Sequence, residues 1–121
     1  MEVYRRGCIS VVVVNWNRRE LLRASLESLA RQRTAHPFHV IVVDNGSDDG
    51  SAEMVLKDYS SGLGFRVQLI RNPDNVGFCA ANNQGFAASD SEFVALLNND
   101  AEAEPGWLDA LATAFHESPD V

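Results

Sequence analysis

The chain has 121 residues, 45% hydrophobic and 22% charged, which suits one soluble domain with one core. Its net charge of −7 excludes a non-specific nucleic-acid binder, which needs a basic face. No apolar run approaches the roughly 20 residues that cross a bilayer, and Met1–Gly7 lacks a signal-peptide core, so a cytoplasmic location is expected.

Cys8 to Val14 is a valine-rich run of the kind that forms a strand covered on both faces. Asn17, with Glu20 three residues on, has the pattern of an N-cap and capping box. Leu22, Leu26, Leu29 and Ala30 recur at helical spacing and predict a helix to about Arg33. Phe38 to Val43 is the second strand, closed by Asp44 and the turn-rich Asn45-Gly46-Ser47-Asp48-Asp49-Gly50. Ser51 opens a second helix, with Met54, Val55 and Tyr59 inward and Ser60–Gly64 as its breaker. Phe65 to Ile70 is the third strand, followed by the polar loop Arg71–Gly77. Phe78 to Ala88 reads as a helix with Phe78, Ala81 and Phe86 as its buried stripe. Phe93 to Leu97 is the fourth strand. Pro105 stands near the first turn of a last helix, which turns Leu108, Leu111, Ala112 and Phe115 to one side. Ser118-Pro119-Asp120-Val121 reads as a turn into a fifth strand, so a longer parent protein is expected.

Four strand–helix repeats imply an α/β fold with a parallel sheet and helices on both faces. Right-handed crossovers favour the strand order 3-2-1-4, with the winding reversing between the first and fourth strands. Four polar clusters then share the carboxyl edge of one sheet, where open α/β sheets bind ligands. Asp100 is the candidate ligand for a divalent cation, since Mg²⁺ and Mn²⁺ take oxygen donors and Mg²⁺ often combines one or two carboxylates with substrate phosphates. A simple cap before the last helix is its competing role. Asn98 adds an amide oxygen, Asn99 stands beside it, and Glu102 is a second candidate carboxylate. Asp44 suits a ribose hydroxyl or base N–H, or an Asx-turn with Asn45-Gly46. Asn15 and Asn17 offer amides to a nucleobase or ribose, with Trp16 between them as a cover for the core. Arg71 is a candidate diphosphate or base contact, and Gly77 lets backbone approach a ligand closely. Cys8 and Cys79 read as buried free thiols, and His36, His39 and His116 are too scattered to suggest catalysis.

No GxGxxG follows the first strand, no GxxxxGK[ST] exists, and no GxSxG appears, which disfavours dinucleotide redox enzymes, P-loop NTPases and α/β-hydrolases. A nucleotidyltransferase, a catalytically silent nucleotide-binding domain and a phospho-receiver remain as alternatives. The first of these commonly has a glycine-rich basic loop after strand one, where this chain has Arg18-Arg19 without glycine. For a receiver, Asn15-Trp16-Asn17 and Arg71-Asn72 stand where acidic residues belong, and Lys57 is the only lysine.

Val13-Val14-Asn15-Trp16-Asn17, Val42 to Ser51, Asn75-Val76-Gly77-Phe78 with Asn82-Asn83 and Gly85, and Leu97-Asn98-Asn99-Asp100 with Pro105-Gly106-Trp107-Leu108 together resemble family 2 glycosyltransferases of the GT-A fold. Within that family the flavour is that of the rhamnosyltransferase-like branch that builds bacterial surface polysaccharides. The resemblance spans nearly the whole chain, in order. It implies a dTDP- or UDP-sugar donor, a Mg²⁺ or Mn²⁺ ion, a glycan or lipid-linked acceptor, inversion at the anomeric carbon and possible peripheral membrane association. By position, Asp44 would bind the nucleoside, Asn15 and Asn17 would line the same pocket, and Asn98 to Asp100 would be the DxD-type motif. Asn98 departs from the pattern, because many relatives carry Asp there. The family's general base would lie beyond Val121, so residues 1–121 are expected to form one donor-binding domain without the acceptor-binding half.

Overall fold

The structure, a computed structural model, describes residues 5–117, with side chains described for residues 7–115. Its elements alternate as β1 (Arg5–Asn15), α1 (Arg19–Ala30), β2 (Phe38–Asp44), α2 (Ser51–Asp58), β3 (Arg66–Arg71), α3 (Phe78–Ala88), β4 (Ser91–Leu96) and α4 (Trp107–Glu117). The turn expected at Ser118–Val121 and the side chain of His116 lie outside the described residues.

The sheet is parallel throughout, in the order β3-β2-β1-β4. Val11 pairs with Val40 and with Ala95, and Asn15 pairs with Asp44, which in turn pairs with Arg71. The expected order therefore holds. A receiver's sheet runs 2-1-3-4-5, with the third strand beside the first, so that alternative fails on topology.

Strand periodicity divides the valine run between two layers. Ile9, Val11, Val13, Val40 and Val42 meet Leu22, Leu26 and Leu29 of α1, Met54, Val55 and Tyr59 of α2, and Leu108 and Ala112 of α4. Val12, Ile41 and Val43 face the other way, onto Ala81 of α3, with Val14, Ile70, Ala88 and Val94 around them. Three helices thus cover one face and one helix covers the other. Burial on both sides is why these strands carry continuous apolar runs instead of alternating ones.

Four expectations need correction. Phe78 and Phe86 are exposed, and α3 buries Ala81, Asn82 and Gly85 instead. A Cβ on Gly85 would lie 2.4 Å from Val12 Cγ1, so the helix rides too close to the sheet for a large side chain to fit beneath it. Asn17 does not cap α1: the N-cap residue is Arg18, and the carboxylate of Asp49 accepts the Arg19 N–H at 3.0 Å. That helix ends at Ala30, short of Arg33. Cys79 is exposed, while Cys8 is buried as expected.

Candidate functional site

The carboxyl edge is built from residues that continue the sheet's hydrogen bonding past the strand ends. The Asn45 N–H donates to the Asn15 carbonyl (2.8 Å), the Asn72 N–H to the Asp44 carbonyl (2.9 Å), and the Leu97 N–H to the Val12 carbonyl (3.1 Å). Four loops therefore leave the sheet side by side.

Two internal networks lock them together. Asp44 is 1% exposed and Asn15 is fully buried, and a buried carboxylate needs donors around it. Asp44 Oδ1 accepts from Asn15 Nδ2 (3.2 Å) and the Ser47 hydroxyl (2.7 Å), and Oδ2 accepts the Ser47 N–H (3.0 Å). Asn15 Oδ1 accepts from Asn99 Nδ2 at 2.9 Å, which ties the loop after β4 to the same cluster. Asn45 is the second hub. Its Nδ2 donates to Asn75 Oδ1 (3.1 Å) and the Gly77 carbonyl (3.2 Å), and its Oδ1 accepts from Asn72 Nδ2 and the Val76 N–H, both at 3.1 Å. Asn72 then exchanges two amide hydrogen bonds with Gln84 of α3, at 2.8 and 2.9 Å.

The loop between β1 and α1 is held by the loop after β2. Asn17 has a left-handed φ of 52°, a conformation asparagine tolerates better than most residues. Its N–H donates to the Ser47 hydroxyl (2.9 Å), and its Oδ1 accepts the Asp48 N–H (2.8 Å). Asp49 caps two helices at once, accepting the Arg19 N–H on Oδ2 and the Ser51 N–H on Oδ1, both at 3.0 Å. Burial pushes its carboxyl up, but hydrogen bonds from the Ser51 hydroxyl and the N–H groups of Arg19 and Ser51 outweigh that and hold it below its ordinary value.

Asp100 is positioned from beneath by two serines on the buried side of α1. Ser25 Oγ lies within hydrogen-bond distance of the Ala101 carbonyl and, at 3.0 Å, the Asn99 carbonyl. The Ser28 hydroxyl accepts the Ala103 N–H at 2.9 Å. This staple fixes the backbone on both sides of Asp100 and leaves its side chain exposed.

That side chain opens on a cleft of about 340 Å³. Val12, Val14 and Leu96 form the apolar part of its wall; Asn45, Asn75, Asn82, Asn98, Asn99 and Asp100 form the polar part. Trp16 (52% exposed), Phe78 (59% exposed) and Arg18 complete it. The cleft thus lies between the loop after β1 and the loop after β4, where the winding of the sheet reverses. A second depression, of about 400 Å³, is lined by Asp44, Gly46, Ser47, Arg71, Asn72 and Pro73.

The predicted residues therefore fall into three groups. Asn98, Asn99 and Asp100 share the first cleft, with Asn45 in its wall. Asp44 and Arg71 share the second depression, where the exposed Arg71 guanidinium is paired with Glu53. Asn15, Asn17 and Gly77 line neither. Asn15 and Asn17 brace the loops, and Gly77, at φ 91°, is the N-cap residue of α3. Glu102 turns away to Arg31, 3.8 Å off. Sequence reasoning offered a ligand the backbone of Trp16 but not its ring, and did not assign Arg18, Phe78 or Asn82 to a ligand surface. An aromatic ring between two asparagines at a strand tip was the available signal for Trp16; Phe78 gave none, since a helix-opening phenylalanine reads as core.

As a metal site the cleft offers a single carboxylate. No group of three or more His, Cys, Asp or Glu that would hold a metal exists among the described residues. That donor set does not suit zinc, but it fits an ion such as Mg²⁺ that arrives with phosphates and keeps several waters.

Residues 10–121 match the family model Glycosyl transferase family 2. This chain belongs to that family. It is 32% identical over 115 residues to the hyaluronan synthase of Pasteurella multocida, which covers 93% of this chain and 11% of that protein. It superposes with a TM-score of 0.79 and 26% identity on S. aureus TarS 1-349 in complex with UDP-GlcNAc, covering 92% of this chain and 32% of that one. The mannosyltransferase PcManGT of Pyrobaculum calidifontis, in complex with GDP-Man and Mn²⁺, has the same fold, with a TM-score of 0.78 and 24% identity over 93% of this chain and 32% of that one. The chain thus spans about a tenth of the synthase and about a third of the solved chains.

Proposed function

We propose that this chain is the donor-binding part of an inverting glycosyltransferase, which passes a sugar from a nucleoside-diphosphate carrier to a hydroxyl of a glycan or lipid-linked acceptor. The observation that carries the reading is the place of Asp100: a stapled, exposed carboxylate in a cleft at the point where the sheet's winding reverses. TarS bound to UDP-GlcNAc and PcManGT bound to GDP-Man and Mn²⁺ support a nucleotide-sugar donor and a divalent ion. We favour a dTDP- or UDP-sugar. The four motifs read in the sequence are the support for the rhamnosyltransferase-like branch and for bacterial surface glycan synthesis.

In this reading the base and ribose occupy the depression at Asp44 and Arg71, and the diphosphate lies across the first cleft. Asp100 would hold Mg²⁺ or Mn²⁺, and Asn98, which lines the same cleft, would offer its amide oxygen. When bound, the ion supplies charge stabilisation to the departing diphosphate. Asn99 keeps the Asp100 loop in register through Asn15, and Asn45 holds Asn75 and the Gly77 carbonyl just before Phe78; Asn75 and Phe78 line the cleft. Apolar contacts from Val14 and Leu96 reduce the water around the phosphates, which strengthens every charge interaction there. The base that deprotonates the acceptor belongs to polypeptide outside these 121 residues, together with the acceptor-binding half. That the chain spans about a third of the solved relatives it superposes on supports this. No helix among the described residues is long and apolar enough to cross a membrane.

Titration calorimetry of the chain with UDP, dTDP and GDP, with and without Mn²⁺, tests the proposal. Mn²⁺-dependent binding of at least one nucleotide is expected. Absence of binding to all three refutes it, and full-rate sugar transfer by residues 1–121 alone refutes the division of the active site.

A further inference from the structure

A diphosphate brings two negative charges to a chain whose own charge is −7, and a single metal carboxylate adds another negative charge to the cleft. The cleft needs a cation of its own, and the arginines differ sharply in their availability. Arg19 pairs with Glu20 and also donates to the Asp49 carbonyl. Arg23 pairs with Asp58 and Glu20, Arg31 with Glu102, and Arg71 with Glu53. Arg18 is exposed, lines the same cleft as Asp100, and forms no ion pair with a described residue.

Its backbone is also held on both sides. The left-handed turn at Asn17, held by Ser47 and Asp48, sets the chain direction just before it. Just after it, the Arg18 carbonyl accepts the Leu22 N–H at 2.8 Å and the Asp49 carboxylate takes the Arg19 N–H. Left-handed backbone at a non-glycine residue persists only where its surroundings impose it, and such residues cluster at ligand sites. Here it delivers to the cleft wall a guanidinium with no ion pair among the described residues.

We propose that Arg18 binds the diphosphate of the donor in the cleft it shares with Asp100, and is the chain's own counter-charge to the leaving group. The inference rests on the function proposed above. It moves the arginine–phosphate contact expected at Arg71 to Arg18, and leaves Arg71 beside Asp44 in the second depression. A guanidinium suits the task because its planar fork meets two phosphate oxygens at once.

The test is calorimetry of the 121-residue chain and its Arg18→Ala and Arg18→Lys variants with UDP, UMP and uridine, at constant Mn²⁺ and two salt concentrations. Arg18→Ala should lose about 10- to 100-fold in affinity for UDP, the range of a hydrogen bond to a charged group. Uridine affinity should stay at the wild-type value, and the salt dependence of UDP binding should flatten. Arg18→Lys should fall between the two, because a point charge remains without the fork. Circular dichroism and melting temperature should match wild type, since the side chain has no ion pair with a described residue to lose. An equal loss for uridine and UDP, or unchanged UDP affinity, overturns the assignment while leaving the donor-site reading intact. Should the wild-type chain bind none of the three, the same series is run with dTDP, TMP and thymidine and with GDP, GMP and guanosine, and failure of all of them overturns both.

Discussion

Gly85 is the contact that decides how closely α3 approaches the sheet, and Gly85→Ala is the sharpest probe of the cleft's architecture. The new methyl would sit 2.4 Å from Val12 Cγ1, 3.1 Å from Cγ2 and 3.3 Å from Cβ. Val12 is 1% exposed, and its branched side chain has no free rotamer to retreat into. To regain ordinary contact at 3.4 Å the helix must recede by about 1 Å. Overpacking costs about 1–3 kcal/mol, and a clash this short against a side chain that cannot turn away belongs to the upper part of that range, about 2–3 kcal/mol. Alanine returns about 1 kcal/mol through its better helix propensity. The net loss expected is about 1–2 kcal/mol, or a fall in melting temperature of about 4–8 °C for a chain of this size. Thermal and urea denaturation followed by circular dichroism measure it. Because α3 also carries Phe78 and Asn82 of the cleft wall, UDP affinity should weaken in the same variant. Val12→Ala combined with Gly85→Ala should be no less stable than the worse single variant, since the removed methyls vacate the space the new one needs. A Gly85→Ala protein melting at the wild-type temperature, or strictly additive losses in the double variant, would refute the close-packing argument.

Three further outcomes are expected. Asp100→Ala should abolish the Mn²⁺-dependent part of nucleotide binding and leave the fold intact, because the carboxylate is exposed and its backbone is held by Ser25 and Ser28; unchanged affinity by calorimetry would remove Asp100 from the site. Asn45→Ala should destabilise the chain by about 2–4 kcal/mol in urea titration, because four hydrogen-bond partners in the loop after β3 lose their hub. Asp49→Ala should lose about 1–2 kcal/mol near neutral pH by removing a cap from each of two helices. The Asp49 carboxyl is held below its ordinary value in the folded chain, so its contribution is present above that value and disappears as pH falls through the lower folded one. The stability gap between wild type and variant should therefore close below about pH 4, and a gap constant from pH 7 to pH 2 would count against the double cap.

Local pattern carried most of the architecture and part of the site. Valine runs bounded by polar clusters are a strong sign of parallel strands buried on both sides, and the order 3-2-1-4 followed from alternation and handedness. The errors came from interactions that sequence spacing does not report. Asn17 and Glu20 have the spacing of a capping box, yet the cap on α1 comes from Asp49, thirty residues away. Phe78 and Phe86 are the most apolar residues of α3, but the depth available against Val12 is set by a glycine, so small residues face the sheet and the rings stand aside. Asn15 and Asn45 stand at the carboxyl edge, as strand ends read from the sequence imply. Their burial and their full use of hydrogen-bonding groups emerge only when four loops are seen together. Ser25 and Ser28, on the buried side of α1, hold the Asp100 loop, although in a linear reading they only interrupt an apolar stripe.

The unequal layering of the sheet also bears on how the protein breathes. α1, α2 and α4 seal one side with long aliphatic side chains, whereas α3 is held on the other by Ala81 and a few neighbouring residues. Sub-global opening starts where the least apolar surface must be exposed. Amides of α3 should then exchange with deuterium sooner than those of α1, in an excursion that lifts one wall of the cleft and spares the floor. A donor bridging that wall and the Asp100 loop would close the excursion, so occupancy could be followed by exchange protection in α3 before any sugar is transferred.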